Sequence, residues 1–105
     1  MDVMKRDGSI VEFDKSKIRE AIMKSMRNGS GIVIPDIARL IASDAEKHFN
    51  KDKEMATIYK IETYVYDRLV HYGQGVTAKA YEGYRAVQSF KRTINTTDDS
   101  ILGLL

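Results

Sequence analysis

The chain has 105 residues, 43% of them hydrophobic and 30% charged, a composition typical of one globular domain and not of a disordered or membrane-spanning protein. Its 17 basic and 15 acidic side chains leave a formal net charge of +2, too small to attract nucleic acid over the whole surface. Cysteine is absent, which excludes disulfides, thiolate metal sites and cysteine nucleophiles. We expect a cytoplasmic protein without a membrane partner, because the chain lacks both an apolar run of about 18 residues and a signal-peptide pattern.

The segment from Asp2 to Phe13 predicts a β-hairpin. Its turn is Asp7-Gly8, a dipeptide suited to a tight connection between two strands. Apolar residues flank this turn on both sides: Val3, Ile10, Val11 and Phe13.

A first helix is predicted from about Lys15 to Arg27. Asp14 can accept hydrogen bonds from the free N–H groups of its first turn, and the glycines of residues 28–31 can end it. Residues 32–34 are a short β-branched run, which predicts either a third strand or a loop packed on the core.

Three further helices follow from apolar residues spaced three or four apart. The second begins at Pro35, the third lies between a charged connector and Gly73, and the fourth is capped by Thr77 and fades near Ile94. We therefore predict an α+β fold in which a small N-terminal β-hairpin or three-stranded sheet caps a four-helix bundle. This domain would cover residues 1–94, and residues 95–105, with their apolar end, predict a linker.

Cations cluster around the predicted hairpin and the start of the first helix. Lys5 and Arg6 are neighbours on a strand, so they can face one ligand only if the hairpin twists or presents its edge. Lys17 lies one turn inside a helix whose free N–H groups favour an anion. Together they predict a triphosphate cradle, although by composition alone Lys-Arg-Asp-Gly is more often found in an ordinary solvent-exposed hairpin.

The block from Val3 to Gly8, followed by Phe13 to Ile18, resembles the ATP-cone family. In that family a basic strand, an Asp-Gly turn, a Phe-Asp pair and a Lys-Ile helix start recur in this order. The resemblance extends over about residues 3 to 93, and two later helices are in keeping with it through Ile61, Val65, Leu69, Tyr81, Tyr84 and Arg85.

The resemblance implies a regulatory domain that binds ATP or dATP, with or without Mg²⁺, between the β cap and the bundle, and that has no catalytic residues of its own. It places the base near Val3 and Ile18 and the phosphates near Lys5, Arg6 and Lys17.

Asp14 would lie close to the ribose, although its role as a helix cap would alone explain it. The second strand offers Val11 and then Glu12 where the family often has a polar residue near the base. The remaining members of the predicted site are Glu12, Glu62 and Arg85.

The family occurs at the amino terminus of ribonucleotide reductases and in a transcriptional repressor of reductase genes. The resemblance favours a reductase, since the repressor carries cysteines upstream of its cone, and the stretch from Tyr84 to Ser100 is similar to the entry into the anaerobic, glycyl-radical class. The expected partners are adenine nucleotide and the catalytic domain of the same parent chain, with a homo-oligomer through the cone as an option.

Two other functions remain open as alternatives to the reductase domain: the repressor's cone, and a helical oligomerisation module that binds no nucleotide. Direct nucleic-acid binding through Lys79 and Lys91-Arg92 is not expected, because the basic residues are scattered. His48 and His71 lie on different predicted helices without ligand spacing, so we predict no metal site. A Walker-type glycine loop is missing from the sequence, so we expect binding of ATP without cleavage.

Overall fold

The computed structural model describes residues 1–52 and 54–96, with side chains described as far as residue 85. Its sheet has three strands, β1 (Asp2–Met4), β2 (Ile10–Glu12) and β3 (Ala56–Thr57), in the order β2-β1-β3. β1 and β2 are antiparallel with Val3 opposite Val11, which confirms the predicted hairpin.

The hairpin turn is built by the local chemistry of Asp7-Gly8. Gly8 has a φ of 87°, a left-handed conformation that glycine adopts without a side-chain clash. The Asp7 carboxylate accepts hydrogen bonds from the Ser9 hydroxyl at 2.6 Å and the Ser9 N–H at 2.9 Å. These bonds hold the pKa of Asp7 below its usual value.

Of the two alternatives left open for residues 32–34, a third strand or a loop packed on the core, the loop is the one observed. Residues 32–34 form a loop that leads into the second helix, and the Ile34 N–H donates to the Met26 sulfur at 3.3 Å. The third strand is instead β3, which lies parallel to β1 with Ala56 beside Val3. The α+β fold with a small sheet is confirmed, and the three-stranded alternative is the one observed.

The first helix, α1 (Lys15–Asn28), begins where a side chain satisfies its free N–H groups. The Asp14 carboxylate accepts from the Ser16 hydroxyl at 2.6 Å and from the Ser16 N–H at 3.0 Å. The Ser16 hydroxyl, and after it the N–H, lower the pKa of Asp14, so the cap is charged at neutral pH. The predicted capping role of Asp14 is confirmed.

The other helices are α2 (Pro35–Asn50), α3 (Ile58–His71) and α4 (Gly75–Thr96). α1 and α3 each pack against both α2 and α4, so the four helices form a ring in which α4 lies between α1 and α3. None of the helices in the described part of the chain has the length and apolar character needed to cross a bilayer.

The prediction that Thr77 caps α4 is wrong. Gly73 ends the preceding segment with a φ of 74°, and the Gln74 carbonyl already accepts the Ala78 N–H at 2.8 Å, so the helix begins at Gly75. Thr77 lies inside the first turn and is 1% exposed, because its side chain faces the core. At the other end α4 continues through Thr96, and the rest of the predicted linker, residues 97–105, lies outside the described residues.

The core joins the inner face of the sheet to the four helices. Val3 and Ala56 are the most buried residues of the sheet, each 3% exposed, and Ile22, Ile41, Val65 and Leu69 are fully buried in the bundle. Among the side chains that the structure describes, the buried cluster is Val3, Ile22, Met26, Ala38, Ile41, Ala45, Phe49, Ala56, Ile61, Val65, Leu69, Ala78 and Tyr81.

Replacing Gly29 by alanine is expected to destabilise the fold by about 1 to 3 kcal/mol, the usual cost of overpacking. A methyl group there would lie 2.9 Å from the Ser25 carbonyl oxygen and 3.2 Å from that of Val76, so α1 and α4 would have to move apart. Urea denaturation followed by circular dichroism measures the change.

Gly83→Ala is the matched control, because Gly83 lies within α4 and an added methyl group meets nothing within 4 Å. It should raise the free energy of unfolding by roughly 0.5 to 1 kcal/mol through helix propensity. If Gly29→Ala does not lower the free energy of unfolding, the close approach of α1 and α4 at Gly29 is not a packing constraint.

Candidate functional site

A cavity of about 290 Å³ lies between α1, α3 and α4. Its wall combines apolar side chains with cations and carboxylates. The lining residues are Lys17, Ile18, Glu20, Ala21, Lys24, Ile58, Ile61, Glu62, Tyr81, Tyr84 and Arg85. A ligand held here would contact three helices at once.

Helical spacing brings these residues to the cavity. On α1, Lys17, Ala21 and Lys24 are four and then three residues apart, so they follow one another along one face. On α4, Tyr81 and Arg85 share a face in the same way. The cations at this site therefore come from two helices, Lys17 and Lys24 from α1 and Arg85 from α4, and the fold determines the distance between these two groups.

The Glu62 carboxylate on α3 is an anionic centre at the cavity wall. One of its oxygens, Oε2, accepts a hydrogen bond from Arg6 Nη2 at 2.8 Å and forms an ion pair with Arg85 Nε at 3.3 Å. The Glu62 side chain is 11% exposed, against 31% for Arg6 and 21% for Arg85. A carboxylate buried to this degree requires such cationic partners, since an uncompensated charge would be costly.

Two tyrosines flank this ionic group. Burial raises the pKa of the Tyr81 phenol, and the nearby charge of Glu62 raises it further, so Tyr81 stays neutral at physiological pH. The guanidinium carbon of Arg85 lies 5.7 Å from the centroid of the Tyr59 ring, which is within cation–π range. Tyr59 itself is 63% exposed, so its ring is available at the surface.

Residues 1–89 match the family model of the ATP cone domain. The chain belongs to the ATP-cone family. The resemblance seen in the sequence is thereby confirmed.

Two curated relatives align with most of this chain but with a smaller share of their own length. A vitamin B12-dependent ribonucleoside-diphosphate reductase from Thermoplasma acidophilum is 34% identical over 112 residues, which covers 98% of this chain and 14% of that enzyme. The transcriptional repressor NrdR of a Synechococcus strain is 27% identical over 93 residues, which covers 89% of this chain and 51% of the repressor. The chain thus spans about one seventh and one half of these two proteins.

The cone brings five of the predicted site residues together. Lys17, Ile18, Glu62 and Arg85 line the cavity, and Arg6 joins them through its hydrogen bond with Glu62. Their contacts with a nucleotide stay predictions.

The other four predicted residues lie apart from the cavity wall. Val3 is buried in the core, and Asp14 is engaged as the cap of α1. Lys5 is half-buried beside the hairpin turn, where its backbone bonds with Gly8 and Ser9. Glu12 is exposed and pairs with the amino group of Met1 at 2.8 Å. The structure therefore divides the predicted residues into two groups. The cavity group is Arg6, Lys17, Ile18, Glu62 and Arg85, and the hairpin group is Val3, Lys5 and Glu12 together with Asp14, which directly follows the hairpin.

Sequence reasoning missed two charged residues of the cavity, Glu20 and Lys24. Lys24 could have been found from its spacing, because it lies seven residues, or about two helical turns, after Lys17. The sequence gives no comparable signal for Glu20, since a glutamate is common on any exposed helix face.

The two histidines lie away from this cavity. His48 stacks on Tyr64 with ring centroids 4.5 Å apart, and His71 meets the edge of Tyr72 at 5.2 Å. Within the side chains described, no three His, Asp or Glu residues are grouped as ligands for a metal ion. An open groove of about 640 Å³ beside His48 is lined by Lys47, Lys51 and Arg68 and by Asp44 and Asp52, and none of the predicted nucleotide-binding residues lies on it.

Proposed function

We propose that this chain is an allosteric regulatory domain that binds ATP or dATP and controls the overall activity of a ribonucleotide reductase. The observation that carries the proposal is the cavity between α1, α3 and α4, where Lys17 and Arg85 face an apolar wall and Arg6 reaches the same carboxylate as Arg85. Membership of the ATP-cone family supports the choice of ligand.

The chemistry of the cavity suits a nucleoside triphosphate. Arginine offers several N–H donors in a planar fork that matches phosphate oxygens, and lysine adds a mobile point charge. Ile18 and Ile61 supply apolar surface for a base. The volume of about 290 Å³ lies at the lower end of the roughly 300 to 1,000 Å³ occupied by small-molecule sites. Part of the nucleotide would therefore extend towards the hairpin group.

We expect selective binding of adenine nucleotides, with ATP and dATP competing for one overlapping site. Isothermal titration calorimetry with ATP, dATP and GTP, each with and without Mg²⁺, measures the affinities and shows whether the metal accompanies the phosphates. Equal affinity for GTP would contradict the proposed specificity, because the cavity would then recognise only phosphate. The ATP should be recovered uncleaved, since the cone is proposed to sense the nucleotide and not to hydrolyse it.

The parent protein is proposed to be a reductase, with its catalytic domain on the same polypeptide and the whole protein in the cytoplasm. The reductase relative supports this through its alignment with 98% of the chain, although its name describes a B12-dependent enzyme and not the anaerobic class suggested by the sequence. The repressor relative keeps the second candidate open. An immunoblot of the native protein distinguishes them, since a reductase is several times larger than this domain and NrdR about twice its length.

A further inference from the structure

Glu62 holds together two like-charged groups from distant parts of the chain. Arg6 belongs to the connection between β1 and β2, and Arg85 belongs to α4. Both approach the same oxygen of one carboxylate, at 2.8 Å and 3.3 Å. We name this arrangement the Arg6–Glu62–Arg85 bridge.

The bridge uses the groups that a phosphate would need. A phosphate oxygen and a carboxylate oxygen are both anionic acceptors, and two guanidinium groups converging on one such atom form the kind of site that binds either. With Glu62 in place, the three side chains carry a net charge of +1, counted as two guanidinium cations and one carboxylate. The bridge therefore satisfies both arginines from within the protein.

We propose that Glu62 is a built-in competitor of the ligand: its carboxylate takes the place of a phosphate group between Arg6 and Arg85, and triphosphate binding moves both guanidinium groups from Glu62 to the phosphates. This inference rests on the proposed function. It adds that the ligand breaks an existing bridge and does not simply fill an empty site. It also assigns Glu62 a role in regulation that opposes binding, where the sequence placed it among the binding residues.

The exchange links the ligand to the arrangement of the helices. The bridge joins the hairpin, α3 and α4 through side chains that are at most 31% exposed, so the attraction is screened less than on an open surface. When both arginines turn to a phosphate, like-charge repulsion moves Glu62 away, and the tie between α3 and α4 is released. A ligand can shift such an equilibrium because it binds only one of the two arrangements.

The test is the Glu62→Gln variant, titrated with ATP and with inorganic tripolyphosphate. Glutamine keeps the size of the side chain but not its charge, so it competes poorly for the arginines. We expect both ligands to bind about 5- to 30-fold more tightly than to the unmodified protein. Tripolyphosphate is included because it isolates the phosphate contacts from those of the base.

Glu20→Gln is the matched control. Glu20 lines the same cavity, and among the described residues it forms no ion pair with Arg6 or Arg85. It removes the same charge from the site without breaking the bridge, so its effect should stay below about threefold. A larger gain from Glu62→Gln than from Glu20→Gln therefore measures the competition itself.

Three outcomes overturn the proposal. If Glu62→Gln binds ATP as well as or less well than the unmodified protein, Glu62 is a ligand contact or a structural residue. If both variants gain the same affinity for ATP, the gain comes from removing a negative charge near the cavity and not from breaking the bridge. If the unmodified protein and both variants fail to bind ATP, the proposed function itself is wrong and the competitor role falls with it.

A second variant covers the case in which Glu62→Gln does not fold cooperatively. Glu62→Asp keeps the charge but is one methylene shorter, so from the same helix position its carboxylate lies farther from both arginines and competes less well for them. It should bind tripolyphosphate about two- to fivefold more tightly than the unmodified protein. Unchanged or weaker binding by this variant would contradict the competition.

Discussion

Replacing Lys17 by alanine is expected to weaken ATP binding by about 1.5 to 3 kcal/mol, which corresponds to about a 10- to 150-fold rise in Kd. Lys17 lines the cavity from the first turns of α1, where the free N–H groups of the helix add to the attraction for an anion. Its side chain is exposed and lies outside the buried core, so the fold should remain cooperative. Calorimetric titration with ATP measures the loss.

Lys15→Ala is the matched control for this variant. Lys15 carries the same charge two residues earlier on the same helix, but its ammonium group lies 3.8 Å from Glu46 and does not line the cavity. It should change the Kd less than about threefold, because exposed pairs of this kind contribute little. A titration in which Lys17→Ala and the unmodified protein are indistinguishable would remove Lys17 from the site.

Arg6→Ala should produce a loss of the same size for a different reason. Arg6 comes from the hairpin, so its loss removes the phosphate contact that reaches the cavity from outside the helices. Glu62 keeps Arg85 as its partner, at 3.3 Å, so the carboxylate is not left uncompensated. If Lys17→Ala weakens ATP binding and Arg6→Ala does not, the phosphates lie along α1 alone and the bridge is not part of the site.

In the reductase that we propose carries this cone, ATP should permit turnover and dATP should suppress it by about 5- to 150-fold, the range given by 1 to 3 kcal/mol of coupling between sites. The two ligands differ only at the ribose 2′ position, so this difference can act only through unequal affinity for two arrangements of the protein. We expect dATP to favour the arrangement in which the outer faces of α3 and α4, or the apolar tail, contact another cone or the catalytic domain.

The exposed apolar side chains on these helices are consistent with such a contact. Tyr59 is 63% and Val70 51% exposed on α3, and Val76 is 61% exposed on α4. Helices packed in a close-fitting core change position in discrete steps. A small change at the cavity can therefore alter which apolar side chains of α3 and α4 are exposed for contact with another protein surface. The tail lies outside the described residues, so its part in the contact rests on the sequence alone.

Activity assays and size-exclusion chromatography of the full-length enzyme, each with ATP and with dATP, test this regulation. The full-length Lys17→Ala variant serves as the control, since its turnover and assembly should no longer depend on which of the two nucleotides is present. If dATP binds the cone but changes neither assembly nor turnover, the cone does not regulate the enzyme in this way.

Much of the fold could be predicted from the sequence because the signals are local. The Asp7-Gly8 turn, the Asp14 cap, Pro35 at the start of α2 and Gly73 before α4 each act through atoms within a few residues. Apolar residues three or four apart then define the buried face of each helix, and these faces meet in the core. Such features depend on the backbone and the immediate neighbours, so they can be derived without knowing the tertiary structure.

The tertiary structure decided the features that need distant residues. β3 has two residues, too few for an alternating pattern, and it exists only because Ala56 lies beside Val3 of β1. Threonine is a common N-cap residue, but Thr77 lies inside α4, where its side chain is packed in the core.

The Arg6–Glu62–Arg85 bridge is the strongest case. Arg6 and Glu62 are 56 residues apart in the chain, and only the tertiary packing of the hairpin turn against α3 brings them within 2.8 Å. By itself the sequence determined the helices, the hairpin and the presence of cations suited to a phosphate, because residue type and spacing control these. Which cations meet, and that a carboxylate already lies between two of them, was decided by the tertiary structure, because an ion pair depends on distance in space and not along the chain.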